Sequence, residues 1–212
     1  MISTSCLLSS TYFGPVQWYQ KLFRYDKVLL EQHDNFTKQT YRNRCVIATT
    51  NGLQALSIPI ERYDGLKCKM KDVRISNHGN WRHVHWNALQ SAYGESPFFE
   101  FLADDLCSFF ERRWDYLFDF NLAITNKMCE LLDIEPKILP TTDYGIVSGE
   151  RNEMSGNIPD FRDVIRPKSP LPDADFRPQR YYQVYEQKHG FQPNLSILDL
   201  LFNLGNEAVL YL

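Results

Sequence analysis

Short apolar runs of strand length occupy the first third of the chain, and apolar stripes of helical period occupy the middle. Cys6-Leu7-Leu8-Ser9-Ser10 reads as a short buried strand and Tyr12-Phe13-Gly14-Pro15 as a turn, with Pro15 placed to open a helix to about Tyr25. Asp26 to Leu30 is a second strand. Cys45 to Thr49 and Leu53 to Ile60 flank Asn51-Gly52, a strong two-residue hairpin signal. Cys68 to Ile75 alternates imperfectly, as a fifth strand does at an edge or a bulge. From Trp81 the period becomes 3.6, with Trp81, Val84, His85, Ala88 and Ala92 on one stripe. Two further helices follow over 97–112 and 119–133. The first is opened by Ser96-Pro97 and turns Phe98, Phe101, Leu106, Phe109 and Phe110 to one face. The pattern predicts an α/β fold: a mixed sheet of about five strands with a β-hairpin, covered by helices.

Beyond Pro136 the period disappears. Seven of the eleven prolines fall between Pro136 and Pro178, which predicts a long proline-rich extended arm over 136–180, packed on a single α/β domain made of residues 1–135 and 181–212. Within it, Gly149 to Asn157 offers no apolar anchor and is expected to be flexible. Tyr181 to Tyr185 alternates as a returning strand. Ser196, with Asp199 three residues on, reads as a capping box for a last helix ending near Gly205 and apolar nearly all round, hence buried.

Composition narrows the function classes. At 212 residues with 43% hydrophobic content the chain can form a core, and a net charge of -3 without an extended basic stripe argues against duplex nucleic acid. No run of about eighteen apolar residues exists, so membrane insertion is not expected. The N-terminal stretch lacks the basic flank of a secretory signal, and five scattered cysteines read as reduced thiols, so a cytoplasmic location is expected.

The candidate chemistry centres on the polar run from Asn35 to Arg44, between the second strand and the hairpin. Lys38, Arg42 and Arg44, with Asn43 and two threonines, supply many donors and no carboxylate after Asp34, which suits an anionic or sugar-phosphate small molecule. In an open α/β sheet, ligands bind beyond the carboxyl ends of strands, an edge that here would carry Tyr12 and Gln17. His85 lies on the buried stripe of its helix and His83 on the opposite side. If its ring reaches the cleft, His85 is the general acid or base, with Lys38 beside it; otherwise it is a core donor. Tyr12, Lys38, Asn43, Arg44 and His85 are expected to line one pocket. No ligand spacing among His78, His83 and His85 supports a metal, and no cofactor is indicated. A triad of Ser196, His85 and Asp199 lacks a nucleophile elbow, and Arg112-Arg113 is explained by the helix dipole.

Three blocks carry a resemblance: Tyr12-Phe13-Gly14-Pro15; Phe36-Thr37-Lys38 through Asn43-Arg44; and Phe191-Gln192-Pro193-Asn194-Leu195-Ser196-Ile197-Leu198-Asp199-Leu200-Leu201-Phe202-Asn203. A fourth joins Trp81, His85 and Ala92-Tyr93 to Pro97-Phe98. On these the chain resembles the WbqC-like family, members of which occur among bacterial O-antigen and surface-polysaccharide biosynthesis genes. The resemblance supplies that setting, and the donor run together with the strand-turn-helix opening at one sheet edge leads to the expectation of a cytoplasmic, transferase-like enzyme that transfers a group to or from an activated sugar or similar anionic metabolite. The alternative is a non-catalytic interaction module that meets a protein partner through the 136–180 arm.

Overall fold

The computed structural model describes residues 5–144 and 158–212. Strands β1 (Ser5–Ser9), β2 (Lys27–Glu31) and β5 (Lys137–Pro140) form a parallel sheet in the order β1-β2-β5. Alternation sets its two faces: Cys6, Leu8, Val28 and Leu30 enter the main core, while Leu7 and Leu29 meet Leu139 and Ile158 on the other side. Apolar cover on both faces is what a parallel sheet requires. Helix α1 (Val16–Arg24) makes the crossover from β1 to β2. The next lane lies on the opposite side of β1. Asp160 bridges Leu7 in parallel, with Leu7 N donating to Pro159 O at 2.9 Å and Phe161 N to Leu7 O at 3.0 Å. The spatial order is therefore Asp160-β1-β2-β5, and the direction of winding reverses between β1 and the Asp160 lane.

Strands β3 (Arg44–Thr49) and β4 (Gly52–Ser57) form a separate antiparallel hairpin, so the described residues form two sheets where one mixed sheet was expected. Thr49 pairs with Gly52, which makes Thr50 and Asn51 the turn, one residue earlier than the Asn-Gly signal suggests. The Thr49 hydroxyl fixes this register by donating to Gly52 O at 2.8 Å and accepting from Asn51 N at 3.2 Å. Helices α2 (Trp81–Tyr93), α3 (Phe99–Glu111), α4 (Leu117–Leu131), the short α5 (Glu186–His189) and α6 (Ile197–Leu204) complete the fold. Every residue of α6 from Ile197 to Asn203 is buried.

Several expectations need correction. Cys68 to Ile75 is not a strand: Met70–Asp72 forms a 3-10 turn, because Met70, Val73 and Ile75 are the buried positions and their spacing breaks the period of two. The fifth strand comes instead from the start of the proline-rich stretch, as an edge strand ending at Pro140, where the missing N–H is harmless. Tyr181 to Tyr185 does alternate in burial, yet no strand forms. The Gln183 side chain takes the place of a ladder neighbour, accepting from Gln192 N at 2.8 Å and donating to Gln192 O at 3.0 Å. Val84 and Phe101 are 57% and 77% exposed, so the apolar stripes of α2 and α3 are narrower than their sequences suggest. Ser96 turns back to Tyr93 O at 2.6 Å, and α3 starts only at Phe99. Gly149 to Asn157 lies outside the described residues.

Candidate functional site at the sheet reversal

The crevice where the winding reverses is walled by the end of β1 and its continuation (Ser9, Ser10, Thr11), by Trp18 of α1, by Thr40-Tyr41-Arg42, and by Phe161, Arg162 and Ile165. Ligands of open α/β sheets bind beyond the carboxyl ends of parallel strands, and here the chain that follows the Asp160 lane packs on α1, with the Phe161 ring 4.5 Å from Lys21 Nζ, so the crevice is enclosed from both sides. The turn after β1 is held by bonds from several elements, two of them beside the crevice. Trp18 Nε1 donates to Ser9 O at 2.9 Å, and Tyr12 N to Tyr41 O at 2.8 Å. Phe13 takes φ 41, a conformation costly for a bulky residue, and a Cβ on Gly14 would stand 2.5 Å from Thr11 Oγ1.

Arg42 and Arg162 bring charge to the lining, each paired with carboxylates that lie behind it. Arg42 forms a buried ion pair with Asp34. Arg162 reaches Glu31 Oε2 at 3.3 Å and Asp160 Oδ2 at 2.7 Å, while Glu31 Oε1 accepts from His33 N at 2.7 Å and from the Thr141 hydroxyl at 2.9 Å. Burial raises the Asp34 carboxyl above its ordinary range although the Arg42 charge pulls it down. Asp160 moves the other way: burial opposes its charge, but the hydrogen bonds from Arg162 win and its pKa is lowered.

The decisive feature is a set of buried polar atoms with no hydrogen-bond partner among the described residues: Ser9 Oγ, Thr11 Oγ1, Asp34 Oδ1, Arg42 Nε and Asn121 Oδ1. An unsatisfied buried group costs about 1–3 kcal/mol, so such groups persist where an external partner completes them. Asn121 belongs with the crevice through its amide, which donates to Arg42 O at 2.8 Å. Ser9, Thr11 and Arg42 are each no more than 9% exposed. The space among them is about 10 Å³, room for about one water-sized group such as a hydroxyl or a single phosphate oxygen.

The residues singled out from the sequence distribute as follows. Among the described residues, Arg42 is the one of that set that lines the crevice. Tyr12 and His85 do meet, Tyr12 Oη to His85 Nδ1 at 2.9 Å, but inside the core, where they are 0% and 4% exposed. Burial pushes the His85 pKa down to about 4, against a hydrogen bond with the Ser57 backbone. A neutral ring donating to that carbonyl accepts from the tyrosine hydroxyl. Arg44 Nε donates to Ser57 Oγ at 3.0 Å, Asn43 Nδ2 to Ile58 O at 2.9 Å, and Lys38 is exposed on the turn. Gln17 is turned away from the crevice, donating to Asp173 Oδ2 at 2.8 Å and accepting from Asn194 Nδ2 at 3.1 Å.

Sequence reasoning missed Ser9, Thr11, Asp34 and Arg162. Asp34 was visible as the last carboxylate before the cationic run, and an aspartate eight residues from an arginine across a turn is a candidate partner. Arg162 sits in aperiodic sequence that gives no sign of lying beside β1.

The profile of the WbqC-like protein family matches residues 10–160 and 173–211, which takes in Ser10, Thr11, Trp18 and Thr40-Tyr41-Arg42 of the crevice, the Asn35 to Arg44 run and α6, and leaves Ser9, Phe161, Arg162 and Ile165 outside. The chain belongs to the WbqC-like protein family. It is 27% identical over 223 residues to the uncharacterized protein Rv1507c of Mycobacterium tuberculosis (strain ATCC 25618 / H37Rv), covering 97% of this chain and 96% of that one. No solved structure matches. Family membership fixes no chemistry by itself, so the WbqC-like chain must be read from its own crevice. Among its described residues no helix is long and apolar enough to cross a membrane.

Proposed function

We propose that this WbqC-like chain is an enzyme that transfers a group to or from an activated sugar or a similar anionic metabolite, bound with its polar end in the crevice at the sheet reversal. One observation carries the reading: unpartnered hydroxyl and guanidinium atoms of Ser9, Thr11 and Arg42, all buried, belong to residues that line a single gap at the place where open α/β sheets bind ligands, and the Asp34 carboxylate paired with Arg42 lies just behind them. Their mixture of donors and acceptors suits a sugar hydroxyl or a phosphate oxygen. Arg42 and Arg162 supply fixed positive charge, and Asp34, its carboxyl raised by burial, is the acid-base candidate. Lys38 and Arg44 extend the positive charge to the exposed run. His85 acts here as a positioning residue, holding the turn through Tyr12. Work on surface polysaccharide in the cytoplasm is the setting that the family resemblance suggests.

NMR titration of the isotopically labelled chain with a panel of hexose 1-phosphates and nucleoside diphosphate sugars tests this reading. At least one compound is expected to shift the amide signals of Ser9 to Tyr12 and of Tyr41 to Asn43. Shifts confined to other parts of the fold, or none across the panel, would remove the crevice as the site.

A further inference from the structure

A larger cavity, about 560 Å³, opens between the first turn of α2 and the end of α3, and none of the residues that line it lines the crevice. Its walls include Asn80, Arg82, His83, Trp86, Phe110 and Arg113. Two features set it apart from an ordinary surface hollow. Arg82 and Arg113 face the same space, and burial together with the Arg113 charge lowers the Arg82 pKa. Arg82 Nε donates to Arg112 O at 3.1 Å, yet its Nη2 is buried without an acceptor among the described residues. Like charges held together around a buried unsatisfied donor are costly alone and favourable around an anion. Glu111, the carboxylate on the rim, accepts from Cys107 Sγ at 3.5 Å and leaves the lining net positive.

The cavity also has an aromatic wall. Trp86 packs on Phe110 with ring centroids 5.6 Å apart and on Phe99 at 6.0 Å, and it remains partly exposed on the cavity side. Asn80, which lines the same space, makes no side-chain cap for α2. The volume falls within the range of about 300–1,000 Å³ that small-molecule sites occupy and far exceeds the needs of a bare oxyanion.

The geometry points to a second binding site, for a nucleoside phosphate whose phosphate lies between Arg82 and Arg113 and whose base rests on Trp86. It stands independently of the crevice. Isothermal titration with adenosine 5′-diphosphate, adenosine and inorganic phosphate tests it on the parent, on Arg113→Ala and on Trp86→Leu. Arg113 is exposed, so its removal leaves the fold intact. The diphosphate is expected to bind the parent, and to bind each variant about tenfold or more weakly. A Ser9→Ala/Thr11→Val chain is expected to bind it as the parent does. No binding to the parent, unchanged affinity in Arg113→Ala, or loss in the Ser9/Thr11 chain would overturn the assignment. Inorganic phosphate binding as tightly as the diphosphate would overturn the nucleoside part.

Discussion

Asp199→Ala is expected to destabilise the protein by about 3–6 kcal/mol, because it strips the acceptor from three buried donors at once. Tyr93 Oη donates to Asp199 Oδ1 at 3.0 Å, while Tyr181 Oη and Gln183 Nε2 donate to Oδ2 at 2.7 and 3.0 Å. The expected capping-box role is not what the aspartate performs. Ser196 caps α6 alone, accepting from Leu198 N, and the carboxylate turns inward to join α2, the 181–183 segment and α6. Burial pushes its pKa up to about 6, with the three donors holding it from going higher. Because that value is raised, the contribution of Asp199 to stability is fully present below about pH 4 and is lost as pH rises through 6. His85 opposes it. Lowered to about 4, its contribution is present above about pH 6.5 and is lost as pH falls through 4. Each effect is about 3 kcal/mol, so in the parent the two largely cancel across that window. Asp199→Asn removes one side of the balance. Urea midpoints are expected to fall more steeply on acidification from about pH 6.5 to about pH 4 in this variant than in the parent. Parallel pH profiles would contradict the assignment.

Lys21→Met is expected to cost about 3–5 kcal/mol, well beyond the range of about 0–1 for an exposed pair. Lys21 is 0% exposed and meets Asp173 at 2.7 Å, with Nζ also 4.5 Å from the centre of the Phe161 ring. Asp173 gathers further donors, Gln17 Nε2 at 2.8 Å and Asp175 N at 3.2 Å. Burial alone would raise its carboxyl, but the Lys21 and Gln17 hydrogen bonds win and lower it. The penalty of the single variant is that of a buried charge left unpaired, not the net worth of the bridge. Lys21→Met/Asp173→Asn is therefore expected to recover at least half of the loss. A single variant within about 1 kcal/mol of the parent would show that the pair contributes no more than a surface bridge.

These two clusters show where the sequence was readable. Elements built on local pattern were legible: the strand-turn-helix opening from its apolar triplet and Gly14-Pro15, the hairpin from Asn51-Gly52, and α2 from its stripe. The nearness of the first turn to the polar run also followed from crossover geometry, and the Tyr12 N to Tyr41 O bond expresses it. What stayed hidden depends on single long-range contacts without any period. Asp160 joins β1 by one bridge, Asp173 reaches α1 through side chains, and Lys137–Pro140 is a strand only because β2 offers an edge. Asp34 and Arg42 illustrate the limit for the site. The cationic run looked free of carboxylates, but the aspartate just ahead of it folds back to neutralise the middle arginine. In the same way Gln183 and Asp199 carry residue types that suit a strand and a cap, while their partners come from elsewhere in the core.

The crevice itself is tested most directly by Ser9→Ala/Thr11→Val, made in the Arg113→Ala background so that the second cavity makes no contribution. Neither hydroxyl has a partner among the described residues, so removing that of Ser9 and exchanging that of Thr11 for a methyl group is expected to leave the unfolding midpoint unchanged or to raise it. Titration with hexose 1-phosphates is expected to show affinity about tenfold or more below that of Arg113→Ala alone, since a ligand loses its contacts while the fold loses none. Equal affinity of the two chains for every member of the series, at equal stability, would contradict a ligand site at the sheet reversal.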